Sequence, residues 1–152
     1  MSMKSQENNM RRLADLLSQD LSYIGGEREC GPNGDKRTFL NLGKVFLRAL
    51  SKDLGLRDVK VTSNPGGNAV SGDCSLIGMW ENNGLYVSLS QFCGGKSVLV
   101  YRTAHNIRDY SGGHNNYLTL DDLWSLSYPA LLDQLNALRK EGGIHERHSR
   151  AA

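Results

Sequence analysis

Residues 74–107 read "CSLIGMWENNGLYVSLSQFCGGKSVLVYRTAHNI", and this stretch decides the fold. Three apolar-rich runs are separated by "NNG" and "CGGK", links that are short and made of turn formers. In "LYVSLS" Leu85, Val87 and Leu89 fall on one side of a strand while Tyr86, Ser88 and Ser90 fall on the other. One side packs and the other meets water. In the following run Val98, Val100 and Arg102 alternate with Leu99, Tyr101 and Thr103, so Arg102 closes an otherwise apolar row at the strand end and calls for a partner or a task. The reading is an antiparallel meander of three strands, or four if the alternating segment 58–63 joins it.

Working outward, both flanks read as helical. Met10, Leu13, Leu16, Leu17, Leu21 and Ile24 recur at helical spacing, which predicts a helix over roughly 8–23 that Gly25-Gly26 ends. Phe39, Leu42, Phe46, Ala49 and Leu50 line one side of a second helix over 38–54, and Gly55 is a natural stop. Its opposite side carries Arg37, Asn41, Lys44, Arg48 and Lys52 with no acid between them, a basic stripe. Downstream, "TLDD" at 119–122 has capping-box spacing and opens a short helix to about Leu126. Leu131, Leu132, Leu135 and Leu138 give the last helix its stripe, and Gly142-Gly143 closes it. The expected architecture is therefore α+β, with N- and C-terminal helices packed on one face of a small antiparallel sheet of three to four strands. Residues 1–141 are expected to form a single domain and 142–152 a disordered tail.

Composition bounds the function classes. At 152 residues, with 39% hydrophobic and 22% charged, the chain suits one domain. No run approaches the twenty or so apolar residues of a membrane span, and the N-terminus lacks the pattern of a secretory signal, so a cytoplasmic location is expected. Cys30, Cys74 and Cys93 are odd in number and lack C-x-x-C spacing, which argues for free thiols rather than disulfides or zinc. A net charge of +2 is too small to indicate a nucleic-acid-coated protein by itself. The Gly-rich "PGGNAVSGD" at 65–73 is not followed by a helix with G-K-[ST] or G-x-G-x-x-G, so no phosphate cradle is expected.

The chemistry-rich stretch is 105–118, "HNIRDYSGGHNNYL". His105, Asp109 and His114 can be arranged as an acid–base group with Tyr110 or Arg108 steadying an anion. The two histidines lie nine positions apart with one nearby carboxylate, and the tail's "HERH" lacks H-E-x-x-H spacing, so neither a metal nor a cofactor is expected. Nucleic acid is an alternative partner, through Arg37, Lys44, Arg48 and Lys52 with Arg102, Arg108, Tyr110 and Asn115-Asn116. A protein interface is another, because tyrosine, glycine and asparagine together supply anchors and adaptable hydrogen bonds. The purely structural reading has Gly112-Gly113 supplying positive φ, the asparagines bonding their own backbone, and Asp109 pairing with Arg102 or Arg108. In that reading Tyr117 and Trp124 are core residues.

"GLYVSLSQ", "VLVYR" and "RDYSGGHNNYLTL" together resemble a segment of accessory proteins carried by bacterial plasmids and phages, in which a strand ending in Tyr-Arg runs into a Lys/Arg-Asp-Tyr-[Ser/Thr]-Gly-Gly-x-Asn loop. The resemblance covers about 84–120. It implies a small protein of a mobile element that blocks a host defence, as anti-CRISPR proteins do, by binding a defence complex. The expected function is thus non-catalytic occlusion of a protein or ribonucleoprotein partner, with Arg102, Arg108, Asp109, Tyr110, His114, Asn115 and Asn116 on the contact surface. Direct nucleic-acid binding by the basic helix stands second and a small enzyme third.

Overall fold

The computed structural model describes residues 2–19, 21, 35–66, 72–94, 96–109 and 112–139. Tyr110, Cys30, most of the glycine-rich segments near 25–34 and 65–73, Gly142-Gly143 and the tail lie outside them. Four helices and five strands follow in the order α1 (Met3–Leu17), α2 (Asp35–Asp53), β1 (Arg57–Asn64), β2 (Asp73–Met79), β3 (Gly84–Gly94), β4 (Ser97–Ala104), β5 (Asn116–Thr119), α3 (Leu120–Ser125) and α4 (Tyr128–Arg139). The sheet is an antiparallel meander in sequence order.

The α+β class stands, but the sheet has five strands rather than three to four. The missing one is β5, which lies inside the stretch read as a loop. Four residues that begin with one asparagine and follow another carry almost no strand signal of their own; pairing with β4 makes the strand, through Leu99 opposite Leu118, Val100 opposite Tyr117 and Tyr101 opposite Asn116.

Helix ends also move, each for a local reason. The first helix starts at residue 3 because Ser2 caps it, its hydroxyl accepting from the Ser5 backbone N–H at 3.0 Å. It stops at Leu17, six residues before the expected end at 23, and Leu21 is buried without being helical. The second helix runs from Asp35 to Asp53 and Gly55 closes it as expected, its φ of +68° letting the Leu56 N–H reach the Ser51 carbonyl. At Thr119 the capping box is complete, since Asp122 N–H donates to the Thr119 hydroxyl and Thr119 N–H to the Asp122 carboxylate.

Register sorts the sheet residues onto two faces. Cys74, Leu76, Leu85, Val87, Leu89, Leu99, Tyr101 and Leu118 share one face, and all belong to the main core with Phe39, Phe46, Leu50, Leu131 and Leu135 from the helices. Contacts fix the helical layer to that side: the Cys74 thiol points at the Leu40 carbonyl, the Tyr101 hydroxyl at Gln134, and the Gln91 amide donates to the Leu17 carbonyl at 3.0 Å. Among the described residues the helices pack on that face.

Within the helical layer, polar groups are paired rather than excluded. Buried Gln6 donates to the Phe46 carbonyl at 3.1 Å, and the Tyr128 hydroxyl donates to Asp53 at 2.6 Å. The Tyr128 backbone N–H reaches Glu7, which also holds Arg11 at 3.1 Å. Arg11 in turn donates to the Leu123 carbonyl, tying α1 to α3. Burial, and then the Asp53 carboxylate, raise the Tyr128 phenol above its ordinary pKa.

Candidate functional site

The second face of the sheet is organised in two rows that run across the strands. Pairings Lys60–Ile77, Ile77–Tyr86 and Tyr86–Arg102 make the first row. Thr62–Ser75, Ser75–Ser88, Ser88–Val100 and Val100–Tyr117 make the second. Ile77 and Ala104 are buried on this face without joining the main core.

Arg102 connects the rows to the hairpin beyond β4. Its guanidinium lies over the Tyr86 ring, 4.6 Å from the centroid, and donates to the Asn115 side-chain carbonyl at 3.0 Å. The Asn115 amide then donates to the Tyr117 hydroxyl at 3.2 Å. Four side chains from β3, β4, the β4–β5 link and β5 are thereby held in one chain of contacts: Tyr86, Arg102, Asn115 and Tyr117. The partner that Arg102 demanded in sequence is a ring on the neighbouring strand plus an asparagine thirteen positions on.

Tyr117 is 47% exposed and Trp124 43% exposed, so the reading of both as core residues is wrong. On β5, Tyr117 follows the parity of Val100 and points away from the helices, while Leu118 takes the core position beside it.

The remaining sequence candidates fall into two groups. Arg108, Asp109 and His114 are exposed on the link, and His105 is exposed just past β4. Asn106 shapes the near half of this link: its side-chain oxygen accepts from Arg108 N–H at 2.8 Å and Asp109 N–H at 3.0 Å, a turn that splays those two side chains outward. Asn116 is not a free contact residue; it is half-buried in β5 and donates to the Tyr101 and His114 carbonyls. Gly112 has φ of +146°, and the Gly113 N–H donates to the Thr103 hydroxyl, which secures the far half of the link. Among the described residues no group of three His, Cys, Asp or Glu side chains is placed to hold a metal.

The α2 stripe is more mixed than its sequence suggests. Arg37, Asn41, Val45, Arg48 and Lys52 are exposed along it, and a shallow groove of about 300 Å³ is lined by Val45, Arg48, Ala49, Lys52 and Asp53. Asp53 thus places a carboxylate beside the last two cations. Lys44 is half-buried, close enough to Cys74 for its charge to favour the thiolate.

Tyr86 is the residue that sequence reasoning missed, although alternation put it on the wetter side of β3 opposite the strand that ends in Arg102. Tyr117 could be read from sequence either as an interface anchor or as core, and its exposure on β5 decides for the surface. The sequence matches no family model, no curated protein and no solved structure.

Proposed function

We propose that this protein is a non-catalytic binding protein of a phage or plasmid, acting by occlusion of a protein or ribonucleoprotein partner, and that an inhibitor of a bacterial defence system such as CRISPR–Cas is the form this takes. The observation that carries the binding reading is the Tyr86–Arg102–Asn115–Tyr117 chain on the face opposite the helices. Tyrosine and arginine are the side chains that most often dominate binding energy, and here their rotamers are held before any partner arrives. Little ordering entropy is then lost on contact. Arg108 and His114, exposed on the adjoining link, extend the surface. The mobile-element setting rests on the resemblance of 84–120.

The test is capture from a bacterial lysate by the tagged protein, with nuclease and high-salt arms, comparing wild type with Tyr117→Ala and Arg102→Ala. A partner captured by wild type and lost by both variants, at unchanged melting temperature, supports the reading. Capture that ignores both substitutions removes the sheet face from the contact surface.

A further inference from the structure

The chemistry of the two rows says what kind of partner lies on them. A protein–protein patch is centred on exposed aromatic or aliphatic bulk with charges at its rim. On this face Ile77 is buried and Val100 half-buried, and among the described residues Tyr117 is the one large apolar side chain exposed there. Between the tyrosines lie half-buried Ser75, which donates to the buried Ser88 hydroxyl at 3.3 Å, and exposed Thr62 beyond them, the hydroxyl that a ligand can reach. Cations stand at opposite sides, Lys60 on β1 and Arg102 on β4. The carboxylate the register adds is Asp73, one row further along, opposite Asn64 and Ser90.

Flat π surfaces, cations and hydroxyls without aliphatic bulk are what an unpaired nucleic-acid strand needs. Bases stack on tyrosine rings and on guanidinium planes, ammonium and guanidinium groups neutralise phosphates, and serine, threonine and asparagine reach base edges or sugars. A duplex hides its base faces and leaves Tyr117 nothing to stack on. The α2 stripe lacks these features: it has no aromatic ring, and Asp53 opposes phosphate at one end of its groove.

We propose that this sheet face binds single-stranded nucleic acid laid across the strands, with Tyr117 and the Arg102–Tyr86 pair as stacking positions and Lys60 as a phosphate contact. This rests on the reading of the face as the contact surface and names what that surface meets in a ribonucleoprotein. Four strand intervals separate β1 from β5, a width of roughly 19 Å, enough for a site of a few nucleotides.

Fluorescence anisotropy on the full chain tests it, using a labelled oligothymidylate and a labelled oligouridylate of about 12 nucleotides and a duplex of the same length. The expected result is saturable, salt-sensitive binding of at least one single strand, with the duplex at least about tenfold weaker; which strand binds better assigns DNA or RNA. Tyr117→Ala should weaken binding about tenfold, the loss of one base–aromatic stack, without moving the melting temperature. Lys60→Gln should reduce the salt slope by about one phosphate contact. An Arg48→Gln/Lys52→Gln double variant should bind as wild type does.

Two results overturn the inference. One is no saturable binding of either single strand while lysate capture still depends on Tyr117, which makes the face a protein contact. The other is binding that survives Tyr117→Ala and is lost in the Arg48→Gln/Lys52→Gln variant, which moves the site to α2. Capture independent of Tyr117 bears on the occlusion reading instead, and the oligonucleotide titration still decides this one.

Discussion

A Cβ placed on Gly43 would lie 2.6 Å from the Cys74 sulfur, closer than real side-chain atoms approach. The two residues set how tightly α2 seats on β2, because the thiol also points at the Leu40 carbonyl one turn earlier in the helix at 3.3 Å. In an isolated helix Gly→Ala stabilises by roughly 1 kcal/mol.

Gly43→Ala is therefore expected to reverse that sign, destabilising by about 1–3 kcal/mol through overpacking. Cys74→Ala removes the sulfur that causes the clash, so the double variant should be at least about 1 kcal/mol more stable than the sum of the single changes. Urea unfolding of the four proteins measures this. Strict additivity would mean that the helix shifts freely and the contact is not limiting.

Burial pushes the Cys74 thiol up to about 12 from an ordinary 9.0, with the neighbouring Asp73 carboxylate adding to the shift and Lys44 opposing it. A folded-state value raised above the unfolded one gives stability that is complete below about pH 9 and is lost as pH rises toward 12. Stability of the wild type relative to Cys74→Ala should fall at up to about 1.4 kcal/mol per pH unit across that window. Below pH 9 the native thiol should resist alkylation. A pH-independent difference between the two proteins would show that the thiol is not held neutral by the fold.

Tyr128 packs edge-on against Phe46, with centroids 6.2 Å apart, while its hydroxyl serves Asp53 and Gln6. Tyr128→Phe keeps the ring and deletes the donor to Asp53, so a cost of about 1–2 kcal/mol is expected. For a chain of this size that is a fall of roughly 2–8 °C in melting temperature. Restoring most of the loss with Asp53→Ala in the same background would show that the uncompensated carboxylate causes it.

Arg102→Ala and Tyr117→Ala should each change stability by no more than about 0.5–1 kcal/mol, since the groups they remove are half-buried or exposed and their contacts lie at the surface. Thermal melts would show this. A loss of several kcal/mol in either variant would make the Tyr86–Arg102–Asn115–Tyr117 chain a structural brace rather than a binding surface.

What the sequence determined by itself is local. Alternation in 84–90 assigned Leu85, Val87 and Leu89 to the core side, short turn-rich links produced the β2–β3–β4 meander, and the "TLDD" box and Gly55 fixed two helix ends, because each depends on residues within a few positions of one another. The tertiary structure alone decided β5 and, with it, the candidate site. "NYLT" becomes a strand only when β4 supplies its hydrogen-bond partners, and Tyr117 turns outward only because that register sets Val100 opposite it. Arg102 meets Tyr86 for the same reason, across a strand pair whose residues are sixteen positions apart in the chain. Cross-strand neighbours are chosen by register, and register is set by burying a whole face at once.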